Sequence, residues 1–204
     1  MKLFTETCCD SLERALLARE RGTGRIELCE NLGVGGTTPG AGLIKTVIDA
    51  VSPLPVNVLI RPRGGDFVFT GQELDSMLED ISFCKRAGAH GVVLGALDRK
   101  ADVDMPAMVR LLEAARPLSV TFHRAFDECR DPLVAFEQIC SLGFDRLLTS
   151  GHARNAWEGR DLIASLVEKS RGRITVMPGC GVTPENIEAL ARWTRASEFH
   201  GTRL

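Results

Sequence analysis

Short apolar runs recur along the chain at intervals of roughly 22 to 35 residues. They are continuous rather than strictly alternating, which is typical of parallel strands that are buried on both faces. We therefore predict eight strands, at residues 2–7, 25–29, 56–61, 91–94, 119–123, 146–149, 174–177 and 197–200.

The segments between these runs carry apolar residues at helical spacing, as at Leu12, Ala15 and Leu16. Two of them begin with a capping residue before proline, Asp131-Pro132 and Thr183-Pro184, which is typical of a helix start. Eight alternating strand and helix units predict an α/β fold, a (β/α)8 TIM barrel that forms a single domain over residues 1–204. A doubly wound open sheet is the alternative, but no GxGxxG motif follows the first strand.

The end of the predicted barrel departs from this pattern, because only four residues follow the eighth strand. A complete barrel carries a helix after each strand, so we expect the last helix to be short or missing. A truncated chain, a partner that covers that edge and a shortened barrel are all compatible with this pattern.

Composition narrows the class of protein. The 204 residues have a net charge of −2 and are 44% hydrophobic, whereas nucleic-acid binders usually show a basic excess. No apolar stretch is long enough to span a membrane, and the first residues lack a secretory signal pattern. Seven cysteines without a CxxC pair indicate reduced thiols. We expect a cytoplasmic protein with no nucleic-acid and no membrane partner.

Catalytic and binding groups of a TIM barrel lie at the C-terminal ends of the strands. The first predicted strand offers Glu6 and Cys8 there, and the second offers Glu27 and Cys29. Each pair has i, i+2 spacing, so both of its side chains point the same way. If the two strands are neighbours, two carboxylates and two thiols converge at the mouth of the barrel.

Two inward thiols could bind one soft metal ion, because thiolates favour Cu(I) over hard cations. Tetrahedral zinc would need further ligands, which His123 and His200 could supply. Cys8 and Cys29 could equally be ordinary core residues, and the spacing does not decide between these alternatives.

The third strand ends in Arg61 and Arg63, followed closely by Asp66. Arginine suits bidentate contacts with carboxylates or phosphates, so the two guanidinium groups are candidate anion clamps. They could instead form an ion-pair plug with Glu6 and Glu27 that only fills the barrel.

Acid and base groups continue on the later strands, where His123 is a candidate proton shuttle near Asp127. The candidate catalytic residues are Glu6, Glu27, Arg61, Arg63, Asp66, His123 and Asp127. A phosphate or other anion could bind at the turns after the sixth and seventh strands, and the candidate residues there are Thr149, Ser150, Gly151, Gly179 and Gly181. This set predicts proton-transfer or lyase chemistry on a small anionic or phosphorylated substrate.

Several motifs together resemble the CutC copper-homeostasis family. They are Glu27-Leu-Cys29, Gly35-Gly-Thr-Thr-Pro39, Ile60-Arg-Pro-Arg-Gly-Gly-Asp66, Val120-Thr-Phe-His-Arg-Ala-Phe-Asp127, Leu148-Thr-Ser-Gly151 and Glu198-Phe-His200. The resemblance implies a TIM barrel, a cytosolic location, a role in copper tolerance or trafficking, and Cu(I) binding that involves Cys8 and Cys29.

Three hypotheses for function follow. A copper-homeostasis protein comes first, with copper as Cu(I) held by Cys8 and Cys29. An enzyme that acts on a small anionic metabolite is the alternative, because copper binding gives no task to the charged groups at the mouth. A non-catalytic scaffold subunit is the third. We also expect the protein to be a homo-oligomer.

Overall fold

The computed structural model describes residues 3–204, which form eight parallel strands and seven α-helices in alternation. The strands are β1 (Phe4–Cys9), β2 (Arg25–Leu28), β3 (Val56–Leu59), β4 (Gly91–Leu94), β5 (Ser119–Phe122), β6 (Arg146–Thr149), β7 (Thr175–Pro178) and β8 (Glu198–Gly201). The helices are α1 (Leu12–Glu20), α2 (Ala41–Val51), α3 (Gly71–Ala87), α4 (Met105–Ala115), α5 (Pro132–Leu142), α6 (Arg160–Ser170) and α7 (Ile187–Thr194). Two short 3-10 helices, Leu32–Val34 and Arg124–Glu128, lie in the loops after β2 and β5.

The strands form one sheet in the order β7-β6-β5-β4-β3-β2-β1-β8. The first strand therefore pairs with both the second and the last, which a doubly wound sheet does not allow. In the described part of the chain no ladder joins β7 to β8, yet a Cβ placed on Gly179 would lie 3.4 Å from the Cβ of His200. The sheet is thus a nearly closed barrel, and the predicted (β/α)8 fold is confirmed.

Of the two helix starts that the sequence predicted from a capping residue before proline, one is confirmed and one is wrong. Asp131 caps α5 as predicted, and its carboxylate accepts from two backbone N–H groups of the first turn. The predicted start at Pro184 is wrong, because α7 begins at Ile187. The Asn186 side chain accepts from the Thr183 amide at 2.9 Å and donates to a loop carbonyl, which holds this stretch in a turn.

The end of the described chain lies against the first strand. Residues 202–204 follow β8 without forming a helix, as the sequence predicted. The Thr7 hydroxyl donates to the carbonyl of Leu204 at 2.7 Å. Among the described residues, no helix has the length and apolar character needed to cross a membrane.

Apolar side chains are buried in two separate clusters. The larger one lies between the outer faces of the strands and the helices, and it includes fully buried phenylalanines such as Phe122 and Phe136. The smaller one lies inside the barrel near its mouth, and its buried members are Cys8, Cys29, Leu59 and Val93. The two thiols that the sequence singled out are therefore part of the inner lining of the barrel.

Below that layer the barrel is filled by a buried ion network. Arg25, which is only 2% exposed, contacts Glu6 through Nε and Glu198 through an Nη at 2.7 Å. Glu198 also accepts from Arg146 at 2.9 Å, and Asn57 donates to Glu6 at 3.4 Å. These hydrogen bonds compensate charges that would be costly to bury unpaired.

Candidate functional site

The C-terminal ends of the first two strands bring two thiols together. Cys8 lies on β1 and Cys29 directly follows β2, and their Sγ atoms are 3.5 Å apart. Cys9 points away from them into the outer core, as strand alternation requires. The spacing argument thus predicted the convergence of the thiols.

A carboxylate and an imidazole complete the cluster. One ligand atom from each of Cys8, Glu27 and His200 lies within 4.8 Å of the other two, and His200 Nε2 is 3.5 Å from Glu27 Oε2. Glu6 Oε1 lies 2.9 Å from His200 Nδ1 on the other side of the ring. A carboxylate behind a histidine fixes the ring orientation and directs its second nitrogen at a metal.

The charges inside this cluster are strongly coupled. Burial would raise the pKa of Glu6, but the hydrogen bond to His200 and the Arg25 guanidinium lower that pKa to about 2. Glu6 is therefore an ionised acceptor, which places the Nδ1 proton of His200 toward it. Burial raises the pKa of Glu27. The contact with Cys29, burial and the charge of Glu27 raise the pKa of the Cys8 thiol well above its ordinary value.

These donors fit a soft or borderline metal ion. Cys8, Glu27 and His200 bring a thiol, a carboxylate and an imidazole together, and Cys29 adds a second thiol beside Cys8. Sulfur and imidazole donors suit Cu(I) or Zn²⁺ better than Mg²⁺ or Ca²⁺. A metal–sulfur distance of about 2.3 Å separates two thiolates by about 3.8 Å at a tetrahedral angle. The observed separation of 3.5 Å therefore requires only a small adjustment. Because the raised pKa of Cys8 keeps its thiol protonated without metal, binding through this sulfur must displace a proton.

A cavity of about 1340 Å³ opens above the thiols at the C-terminal side of the barrel. Cys8, Cys29, Glu27 and His200 all line it. Of the other predicted site residues, Arg61, His123, Asp127 and Gly181 line it too.

Arg61 is held by backbone carbonyls rather than by carboxylates. Its Nη1 donates to Val34 and Gly36 at 3.0 and 3.1 Å, and its Nη2 donates to Gly65 at 2.7 Å. The guanidinium also stacks on Phe67, 4.5 Å from the ring centroid. Burial lowers the pKa of Arg61. The alternative of an ion-pair plug with Glu6 and Glu27 is therefore wrong, since Arg25 and His200 occupy that role.

Arg63 and Asp66 do not line the cavity. Arg63 binds Glu73 at 2.6 Å and Asp66 at 3.0 Å, and its guanidinium lies over the ring of Phe69. The expectation that both arginines face the mouth assumed a continuing strand, but β3 ends at Leu59 and the chain then turns. The pair of Arg63 and Asp66 holds this loop.

His123 is buried with one nitrogen in use. Its Nδ1 accepts from the Ala125 amide at 3.2 Å, so the proton of the neutral ring is on Nε2, which has no partner in residues 3–204. Burial and the charge of Arg61 lower the pKa of His123 to about 3. At neutral pH it is a hydrogen-bond donor, whereas the proton shuttle suggested by the sequence would need a pKa near the working pH.

This environment makes His123 acid-sensitive. The folded state keeps the ring neutral down to about pH 3, while the unfolded chain binds a proton below pH 6.5. The contribution of His123 to the free energy of unfolding is therefore fully present above pH 6.5 and is lost as the pH falls toward 3. Between pH 6 and pH 4 we expect the wild type to lose about 2–3 kcal/mol more unfolding free energy than His123→Gln. Urea unfolding across this range measures it, and parallel profiles would contradict the assignment.

Asp127 fills the place that the sequence assigned to a bound anion. Its carboxylate accepts from the amide and hydroxyl of Ser150, both at 2.9 Å, from the amide of His152 at 3.2 Å and from the Thr149 hydroxyl. Arg124 Nε also donates to it at 2.9 Å. These contacts tie the loop after β6 to the 3-10 helix after β5.

The glycines of the predicted anion cradle have structural tasks. Gly151 has a φ of +72°, and a Cβ there would lie 2.3 Å from the carbonyl oxygen of Gly159. The Gly179 amide donates to the Thr149 carbonyl at 2.9 Å. The predicted anion site is therefore wrong at Thr149, Gly151 and Gly179, because their polar groups already form hydrogen bonds within the protein. Gly181 lines the cavity but precedes a turn and not a helix.

Sequence reasoning missed Arg25, which carries the ion network under the site. A signal existed, because Arg25 lies two residues before Glu27 and must share its inward direction. His200 was recognised only as a supplementary zinc ligand, since its closeness to Cys8 depends on β8 pairing with β1.

Comparison with known proteins identifies the relatives of this chain. The CutC family model matches residues 3–204. A CutC family protein of Parabacteroides distasonis is 52% identical over 200 residues, which cover 98% of this chain and 82% of that protein. A human protein named copper homeostasis protein cutC homolog is 47% identical over 195 residues, covering 96% of this chain and 71% of that protein.

Solved structures agree at the level of the fold. A crystal structure from Streptococcus agalactiae that bears the CutC name superposes with a TM-score of 0.93 at 37% identity and covers 99% of both chains. A 2,3-dimethylmalate lyase superposes with a TM-score of 0.71 at 10% identity, covering 98% of this chain and 76% of that one. The second likeness shows a shared barrel fold alone.

Proposed function

The chain belongs to the CutC family, and from that premise we propose that it binds copper as Cu(I) through the thiolates of Cys8 and Cys29. The observation that carries the proposal is the 3.5 Å separation of the two Sγ atoms at the floor of an open cavity. Thiolates are the protein ligands that favour Cu(I), and the cavity gives the ion a route to them.

The neighbouring groups support this assignment. His200 presents Nε2 as a third ligand, because Glu6 engages its Nδ1 from behind. The carboxylate of Glu27 lies beside Cys8 and His200, where a negative charge would offset that of a bound cation. The two thiolates and His200 would hold copper as cargo at the floor of the cavity, with Glu27 offsetting its charge.

The biological setting is part of the proposal. Copper homeostasis is the role printed in the names of the mammalian relatives, and we extend it to this chain. All seven cysteines are free, which suits a reducing compartment such as the cytoplasm. Assembly into a homo-oligomer stays a prediction.

Several candidate groups of the enzyme alternative have structural roles instead. Asp127, Arg63 and Asp66 hold loops together, and Glu6 is used in the ion network. The scaffold alternative gives no reason for two thiols beside an open cavity.

An anaerobic Cu(I) titration against a competing chelator tests the proposal. We expect one equivalent of Cu(I) per chain, and a dissociation constant at least about tenfold higher for Cys8→Ser and for Cys29→Ser, since each loses a thiolate ligand. Cys180→Ser is the matched control, because Cys180 lines the same cavity but lies outside the thiol pair. Its affinity should equal that of the wild type.

Two results would contradict the proposal. One is Cu(I) binding that survives both serine variants. The other is tight Zn²⁺ binding that is lost in Glu27→Gln while Cu(I) binding stays weak in the wild type, which would assign the cluster to zinc.

The affinity for Cu(I) should rise with pH. The raised pKa of Cys8 keeps its thiol protonated near neutrality, so the metal competes with a proton for the sulfur. We expect the dissociation constant to fall by up to about tenfold per pH unit for each proton displaced, between pH 6 and pH 8. The same titration in buffers of constant ionic strength measures this, and a flat profile would show that the thiols are not the ligands.

A further inference from the structure

We propose that Arg61 and His123 form a subsite that binds the carboxylate of a small organic acid in the cavity above the thiols. This subsite does not require a bound metal, so it stands apart from the proposed function.

The first observation is a buried cation without an anion. Arg61 is 5% exposed, and no carboxylate in residues 3–204 lies within 4 Å of it. Three of its N–H groups donate to the carbonyls described above, whereas Nε has no partner and is fully buried. A guanidinium has five N–H donors, so its donor capacity and its charge are both only partly satisfied.

The second observation is a neutral donor beside it. His123 is 5% exposed, and its Nε2 also has no partner among the described residues. The ring of Phe67 connects the two groups, since it lies 4.5 Å from the Arg61 guanidinium and 4.9 Å from the centroid of the His123 ring. Both side chains also line the same cavity. One cation and one neutral donor therefore flank a shared space.

The charge balance favours a carboxylate over a phosphate. Arg61 supplies one positive charge and His123 supplies none. Glu128, which is exposed at the rim, already acts on Arg61, while Asp127 is paired with Arg124. A monoanion balances the guanidinium charge, and the two unpartnered N–H groups are the donors that we infer it engages. A phosphate dianion would exceed the single positive charge that Arg61 offers at this subsite, and Glu128 lines the same cavity.

The subsite is adjacent to the thiol pair. The Gly36 carbonyl accepts from Arg61 at 3.1 Å, and a Cβ on Gly36 would lie 3.7 Å from the Sγ of Cys29. A residue with no side chain thus separates the two sites. An acid bound by its carboxylate at Arg61 can extend its other end toward Cys29.

Binding of acetate to the metal-free protein tests the proposal. The ¹⁵N-coupled signals of Arg61 Nε–H and His123 Nε2–H should shift together and saturate, and calorimetry should give the same dissociation constant. Arg61→Gln should raise that constant at least tenfold. Arg154→Gln is the matched control, because Arg154 lines the same cavity but its side chain is 88% exposed. It should change the constant less than twofold.

Each of three results would overturn the proposed subsite. Inorganic phosphate that binds more tightly than acetate would reject the carboxylate class. Equal losses in Arg61→Gln and Arg154→Gln would indicate diffuse charge attraction, and absent shifts in the wild type would reject the subsite even if Arg61→Gln fails to fold. Cys8→Ser should keep acetate binding, so failure of copper binding and failure of this subsite can be told apart.

Discussion

Arg25→Met is expected to lower the free energy of unfolding by about 3–5 kcal/mol, because it removes one partner of a buried ion network. Glu6 has no exposed surface and would keep its charge without the guanidinium that neutralises it. His200 can offset part of the loss, since burial lowers its pKa but Glu27 and Glu6 raise it by more. Chemical denaturation at neutral pH measures the change.

Two further variants distinguish the mechanism from a simple loss of packing. Arg173→Met removes an arginine that binds Glu137 through both Nη atoms at an exposed position. It should cost far less stability than Arg25→Met, because solvent screens an exposed ion pair. Arg25→Met combined with Glu6→Gln should recover part of the lost stability, because no unpaired charge remains. If the double variant loses as much unfolding free energy as the two single variants added together, the proposed ion network is refuted.

Asp127→Ala should destabilise the protein by about 3 kcal/mol, because it leaves several buried hydrogen-bond donors without an acceptor. The Ser150 amide, the Thr149 hydroxyl and the His152 amide would all lose their acceptor. Cu(I) affinity should change little, because none of these groups touches the thiols. Urea unfolding and the copper titration, made on the same preparation, give both values.

Asp75→Ala is the control for this prediction. Asp75 also pairs with an arginine, at 3.1 Å, but its side chain is 69% exposed, so its loss should cost less than about 1 kcal/mol. If Asp127→Ala is as mild as Asp75→Ala while it abolishes a measured activity, Asp127 is a functional residue rather than the structural tie inferred here.

The fold was readable from the sequence because each strand carries a local signal. Continuous apolar runs such as 91–94 predict strands that are buried on both faces. Capping residues such as Asp131 fix helix starts. The start of α7 could not be predicted, because the Asn186 side chain stabilises a turn for which the local sequence has no recognisable pattern.

The candidate site was predictable only where strand alternation determines direction. The convergence of Cys8 with Cys29 follows from i, i+2 spacing on neighbouring strands. Strand alternation does not determine side-chain direction beyond the end of a strand. The prediction that Arg63 faces the mouth of the barrel was therefore wrong. The sequence also did not show which groups Asp127 binds, because its carboxylate contacts the loop after β6, which is distant along the chain.

The pairing of β8 with β1 also has a consequence for how the molecule is made. Glu6 faces His200 across this pair of strands, so ribosomal synthesis separates the two residues by nearly the whole chain. At about 5–20 residues per second, the first strand waits roughly 10–40 s for its second neighbour. Throughout that interval its outer edge is an unpaired template for other strands. We therefore expect a chaperone that covers this nascent edge, which the pairing with β2 leaves free, to raise the yield of folded barrels.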